Sequence, residues 1–431
     1  MKKIIALLLV CVLALCLFAG CNNNPSAEGG SVYYLNFKPE AEQAWLDLAA
    51  VYTQQTGVEV KIVTAASGTY SDTLTAEMGK ADAPTLFQCG NQQGLIDWDS
   101  YCLDLTDTAV AKELTTNDFN LYNEAGELKA IGYCYECFGI IVNKTLLAEA
   151  GYSVEDIKDF ASLKAIAEDI HANAKTLGFD AFTSSGLDDS SSWRFSGHLA
   201  NMPLFYECRD EGVTEQPAEL TGAYLENFKN VWDLYINNAA ISPADLSTAT
   251  GDQALEEFGT GKAVFYQNGS WEFANLCLDE SKGYMLKPED VTMIPIYCGV
   301  EGEEQAGLCA GTENCWAINS QASEEDIQAT LDFVHWVVTS DEGTQMMADA
   351  FGPIPFKNAK TPANSFFAAA NEYTSAGNYV VTWAFNWTPN VDDWRAGVVS
   401  ALAAYSAGTG QWSAVEEAFV NGWAYQYANQ G

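Results

Sequence analysis

The sequence predicts an α/β protein of two lobes behind an export signal. Helix-like and strand-like stretches alternate from Val32 to the C-terminus with no tandem repeat, an order that builds sheets covered by helices. The 431 residues exceed the roughly 250–300 at which a single hydrophobic core stops growing. No long linker separates the halves, so the chain is expected to cross between lobes more than once.

Lys2 and Lys3 precede an apolar run, Ile4 to Phe18, that closes in Leu17-Phe18-Ala19-Gly20-Cys21. The run is shorter than the ~20 residues a membrane helix needs, and its flanks are those of an export signal. Its ending resembles a bacterial lipobox. That would make residues 1–20 the signal peptide and Cys21 the acylated first residue of the mature protein. An ordinary secretory signal with an incidental cysteine is the alternative. Residues 21–31 are polar, with Pro25, Gly29 and Gly30, and read as a flexible tether.

Val32 to Phe37 is rich in β-formers and reads as the first strand. Ala44, Trp45, Leu48, Ala49 and Tyr52 then recur at helical spacing, Gly57 stops that helix, and Val58 to Val63 reads as the next strand. Strand, helix and strand in so short a span make a βαβ unit and imply parallel pairing. A helix at Ser71–Lys80 leads to a buried strand at Pro84–Phe87. Phe138–Val142 reads as a strand, followed by a short helix from Thr145 that Gly151 ends. Further helices are expected at Asp159–Leu177, Leu220–Asn238, Ser323–Thr339 and Val391–Ala407, and strands at Ala263–Tyr266, Val291–Ile294 and Cys315–Ile318.

The net charge is -38, from 58 acidic and 20 basic side chains. Nucleic acid and anionic lipid both need a positive face, so neither is expected as ligand. Nine cysteines follow Cys21: Cys89, Cys102, Cys134, Cys137, Cys208, Cys277, Cys298, Cys309 and Cys315. An odd number cannot all pair, and their apolar neighbours make them small buried hydrophobes. Cys134-x-x-Cys137 lacks the second ligand pair a zinc site requires, and His171, His198 and His335 are scattered, so no metal or other cofactor is expected. There is no G-x-S-x-G elbow and no phosphate-binding G-x-x-x-x-G-K-[ST] loop. Asp97-x-Asp99 opens like a calcium loop, but Cys102 stands where Gly is required.

Several segments resemble the family 1 extracellular solute-binding proteins, the group that contains maltose-binding protein. The most specific is Phe258-Gly-Thr-Gly-Lys-Ala-Val-Phe-Tyr-Gln-Asn-Gly-Ser-Trp-Glu272. A second is Tyr135-Glu136 running into Gly139–Lys144 and Leu146–Gly151. A third combines Ala317–Asn319, Glu324–Val338, Ser340–Gly343 and Gly352–Pro355, and a fourth is Trp394 to Ala418. The resemblance implies a type II periplasmic-binding-protein fold: two α/β lobes, three hinge crossings and a ligand cleft between. By position, residues 32–132 plus 307–351 form the N-terminal lobe. Residues 133–306 plus 352–431 form the C-terminal lobe.

A sugar presents flat C–H faces and a rim of hydroxyls, so its site needs aromatic platforms and polar planar side chains. Trp271 matches the family's stacking tryptophan, and Glu136 stands where maltose-binding protein has a ligand-contacting glutamate. Asn91 and Gln92 follow a buried strand where the family places polar contacts. Asn36, Lys38, Ser67 and Tyr70 lie in βα loops, where α/β proteins bind ligands. Trp193 and Arg194 resemble an aromatic cleft segment; a Ser-capped helix with Trp packed inward is the alternative. Trp387 and Trp394 precede and begin the long C-terminal helix, Trp394 equally suiting a core position, and Glu313 and Asn314 complete the set.

The resemblance implies an extracytoplasmic bacterial lipoprotein, monomeric, that captures a carbohydrate by lobe closure and delivers it to ABC permease subunits without catalysis. The alternatives are the same fold holding a polyamine or other small solute, and a lipid-anchored glycosidase with a carboxyl pair about 5–10 Å apart.

Overall fold

A computed structural model describes residues 29–213 and 215–430. The signal peptide, Cys21 and most of the tether lie outside the described residues. Among the described residues twelve strands run in chain order: β1 (Val32–Asn36), β2 (Val60–Thr64), β3 (Leu86–Gln88), β4 (Leu121–Tyr122), β5 (Leu128–Gly132), β6 (Glu136–Asn143), β7 (Asp180–Phe182), β8 (Ala263–Gly269), β9 (Val291–Ile294), β10 (Ala306–Gly311), β11 (Cys315–Ile318) and β12 (Tyr379–Thr382). They form two sheets. The first has the order β2-β1-β3-β11-β5-β4, and the second β12-β10-β6-β8-β7 with β9 beside β6.

The expected βαβ opening is present: β1 and β2 pair in parallel from Val32↔Val60 to Asn36↔Thr64. Between them the helix Glu42–Thr56 buries Trp45, Leu48, Ala49 and Tyr52, and Gly57 ends it at φ 79°. A Cβ at that left-handed angle would be strained, which is why glycine terminates the helix. The helix Phe160–Leu177 begins the same way the sequence suggests, with the Asp159 carboxylate accepting from Ser162 N–H at 2.8 Å. β4, β5, β7, β10 and β12 lie outside the segments expected as strands; β10 (Ala306–Gly311) is rich in Gly and Ala, which are depleted in strands.

Each sheet has its own core. Trp45, Trp316, Phe333 and Phe351 pack under the first, and Phe195, Trp232, Trp394 and Trp423 under the second. The chain passes from β5 to β6 through residues 133–135. The boundary expected at residue 307 moves to 312–314, because β10 pairs with β6 and β12 before β11 joins the first sheet. The third crossing also falls later than residues 351–355. Phe356 still belongs to the first core, and Lys357 N–H donates to Glu113 O at 3.0 Å. The next helix, Ser365–Ser375, packs on β9 and β10.

Candidate functional site

The turn after β1 carries a lysine toward the second lobe. Fully buried Asn36 builds that turn: its amide donates to Lys38 O at 2.7 Å and Thr64 Oγ1 at 3.1 Å, and its carbonyl accepts from Lys38 N–H at 3.1 Å. Lys38 Nζ then lies 2.8 Å from Glu136 Oε1 and 3.2 Å from Glu40 Oε1, with the Lys38 and Glu136 side chains only 8% and 6% exposed. Asn314 Nδ2 donates to the other Glu136 oxygen at 2.8 Å. Burial alone would lower the Lys38 ammonium, but the carboxylates of Glu136 and Glu40 hold it well above the usual lysine range. The network joins the first lobe to the start of β6 and to the β10–β11 crossing.

Above this network the second lobe presents an aromatic wall. Lys38 Nζ sits 5.2 Å from the Trp271 ring centre, within cation–π range. The Trp271 ring lies against Gly269, where a Cβ would meet it at 2.1 Å, and its Nε1 donates to Asn268 Oδ1 at 3.0 Å. Trp193 lies 5.9 Å from Trp271, and His198 lies 5.0 and 5.3 Å from the two rings. His198 stacks on Phe138 at 4.0 Å with 7° between planes. Trp383 continues the wall, seated on Gly311, where a Cβ would come within 2.5 Å of the ring. Glycines at 269 and 311 are needed here for close approach, not for backbone angle.

Both ends of the Trp193–Trp271 pair adjoin π-helical turns, Arg194–Leu199 and Ala274–Leu278, a geometry frequent at functional sites. His198 Nδ1, Trp383 Nε1 and Asn386 Oδ1 are buried with no protein partner among the described residues. Buried polar atoms are costly when unpaired, and these three stand with their hydrogen-bonding capacity unused.

Burial, reinforced by Arg395, Arg194 and Lys38, holds the His198 imidazole well below its ordinary 6.5. The unfolded chain therefore binds this proton more tightly than the folded one, so stability is full above pH 6.5 and falls as the pH drops from there toward the lowered value. Burial raises the Glu272 carboxyl, which has the opposite slope. Comparing wild type with His198→Phe isolates the histidine. The variant's urea midpoint is expected to fall less between pH 7 and pH 5, and parallel profiles would refute a neutral buried His198.

The lobes also meet elsewhere along this face. Gly68 (φ 77°), in the loop after β2, packs so closely that a Cβ there would lie 3.0 Å from Asp189 O, and a Cβ on Gly90 would lie 3.7 Å from Glu313 Cβ. The helix Gln92–Trp98 approaches the Ala384–Trp387 turn.

The expected site residues divide accordingly. Lys38, Glu136, Trp193 and Trp271 converge. Ser67 is exposed beside Gly68, and Gln92 is exposed with its amide on Tyr122 O at 3.0 Å. Asn36 serves the turn, and Asn91 Oδ1 caps the Gln92–Trp98 helix at Gly94 N–H, 2.8 Å away. Tyr70 OH is taken by Leu35 O and Gln88 N–H at 3.3 and 2.8 Å.

Arg194 is a correction. It is 1% exposed and donates to Gln267 O at 2.8 Å, so its charge serves the second core. Trp394 is another: 2% exposed, it donates to Phe419 O at 3.0 Å and packs against Trp423. Trp387 packs half-buried on the second core, while Trp383 of the same segment is buried in that core and lies 6.3 Å from His198. His198 and Arg395 were not singled out in advance. A π-turn shifts the helical phase just after Trp193, whereas Trp394 and Arg395 lie on a regular α-helix, where which neighbour faces inward depends on what packs against it. Outside this cleft, a surface depression lined by Arg209, Asp210, Tyr224 and Glu301 holds an Arg209–Asp210 ion pair at 2.9 Å.

A family model described as bacterial extracellular solute-binding protein matches residues 47–374. No curated protein matches the sequence. Among solved structures, a chitin oligosaccharide binding protein aligns with a TM-score of 0.71 at 15% identity, covering 93% of this chain and 98% of that one. RafE in complex with raffinose aligns at 0.70 and 16%, covering 90% and 98%; an apo form of RafE comes from Streptococcus pneumoniae. The GacH receptor of Streptomyces glaucescens, solved unliganded and with acarbose, aligns at 0.69 and 16%, covering 93% and 99%. At such identities the likeness is one of fold.

Proposed function

This chain belongs to the bacterial extracellular solute-binding proteins, and from that membership we propose that it captures a carbohydrate between its lobes for an ABC importer. The observation that carries this reading is the wall of Trp193, His198, Trp271 and Trp383 opposite the Lys38–Glu136 network. Flat rings suit the apolar faces of a sugar, and orphan donors and acceptors suit its hydroxyls. The aligned structures with raffinose and acarbose support the same solute class. Binding would proceed by hinge closure at the crossings, with no bond made or broken. Acylated Cys21 would hold a monomer at the extracytoplasmic face of the membrane, beside the permease it serves.

A cationic solute such as a polyamine has one observation in its favour. An ammonium, that of Lys38, already sits between Glu40, Glu136 and the Trp271 ring. A thermal-shift screen against neutral sugars, polyamines and amino acids decides between the two. A solute that binds only the folded state adds about 2.7 kcal/mol at a hundredfold excess over Kd. A sugar hit, intact after overnight incubation, is the expected result. A hit confined to polyamines, or a sugar consumed, would overturn it.

A further inference from the structure

Where the chain crosses from β10 to β11, the cleft holds two opposite charges that the protein leaves unused. Arg395, on the helix Val391–Ser406, is half-buried, with its guanidinium 5.8 Å from the Phe385 ring. It packs so closely on Gly197 that a Cβ there would lie 2.8 Å from one terminal nitrogen. Glu313 is half-buried in the crossing itself, against Gly90 of the first lobe. Asn386, next to Phe385, ties this corner together by donating to Thr312 O at 3.0 Å, and its Oδ1 is one of the orphan atoms. Neither the guanidinium nor the Glu313 carboxyl takes part in a hydrogen bond or ion pair among the described residues.

The two charges feel each other without touching. Burial raises the Glu313 carboxyl above its ordinary value; Arg395 and then Lys38 oppose that rise, while Glu136 and Asp392 add to it. Lys38 is spent on Glu136 and Glu40, which leaves Arg395 as the cation facing this corner. A partly buried charge without a partner is expensive, so both groups are poised for something the solute brings. A guanidinium only donates and a carboxylate only accepts. An anionic solute would satisfy Arg395 and be repelled by Glu313, and a cationic one the reverse. A neutral diol satisfies both, one hydroxyl oxygen accepting from Arg395 while its neighbour's O–H donates to Glu313.

We propose that Arg395 and Glu313 form a clamp for adjacent hydroxyls of one sugar unit and select a neutral sugar over a uronic acid. The proposal rests on the carbohydrate reading above and adds the specificity. Raffinose, stachyose, acarbose and a chitin oligosaccharide are titrated calorimetrically into the whole chain, and the sugar that binds is carried to Arg395→Gln, Glu313→Gln and the double variant. Each single variant is expected to lose about tenfold or more in affinity, as charge-assisted hydrogen bonds do. The double variant should lose less than the product, because the two act on one diol. The melting temperature without sugar should not fall in Glu313→Gln, since that change removes an unpaired, partly buried charge. Galacturonic acid should be rejected by the wild type and bind better to Glu313→Gln. If the wild type binds a sugar and both single variants match it within about twofold, the clamp is wrong and the carbohydrate reading stands. If no sugar binds the wild type, both are wrong.

Discussion

Lys38→Ala is expected to cost about 3–5 kcal/mol of stability, because it strands a buried carboxylate rather than merely removing a contact. Glu136 is 4% exposed. Without the ammonium it retains only the Asn314 amide, 2.8 Å away, as a charge-compensating neighbour. A surface pair of the same length would contribute about 0–1 kcal/mol; burial makes the difference. Removing both charges together, as Lys38→Met with Glu136→Gln, should be milder than the alanine variant, since no uncompensated charge remains. Urea unfolding of the three proteins measures both effects. A loss below about 1 kcal/mol for Lys38→Ala would mean that water reaches the pair, and that the lobes are not held together at this point.

Trp271→Ala should weaken solute binding by about 2 kcal/mol or more, roughly thirtyfold, the behaviour of a buried aromatic anchor. The ring is fixed on three sides: Gly269 beneath, Asn268 on its nitrogen and Trp193 at 5.9 Å. It therefore meets a solute without paying much ordering entropy. Trp394→Ala provides the contrast. That ring is wholly in the second core, so its truncation should cost about 3–5 kcal/mol of stability with a smaller effect on affinity in whatever protein remains folded. Calorimetry beside thermal melting separates the two. Equal losses of affinity in both variants would remove Trp271 from the platform.

Much of the order of elements and part of the candidate site lay open in the sequence, for local reasons. The βαβ opening is written in the spacing of Trp45, Leu48 and Tyr52 and in the stop at Gly57, both of which act within a few residues. The segment Phe258 to Glu272 was legible as a strand leading to a half-buried tryptophan at its end, because a Gly-Ser turn after a β-rich run leaves its next aromatic there. Lys38 and Glu136 were each legible as members of loops or strand starts. That they are one ion pair was not, since nearly a hundred positions separate them along the chain.

Where the sequence alone sufficed, the interactions concerned are short-range: helix stops, helical spacing of apolar residues and strand propensity. Those determine an α/β chain in two lobes. The tertiary structure decided which side chains face the cleft. Arg194 and Arg395 are both arginines beside a tryptophan, yet one is spent inside the second core on Gln267 O and the other has no partner among the described residues. Trp383 and Trp394 are both buried in the second core, but Trp383 also reaches His198, 6.3 Å away, and so adjoins the aromatic wall. The same holds for the crossing at 312–314, which only the pairing of β10 with β6 reveals. Orientation is set by what packs against the opposite face of an element, and that partner comes from a distant part of the chain.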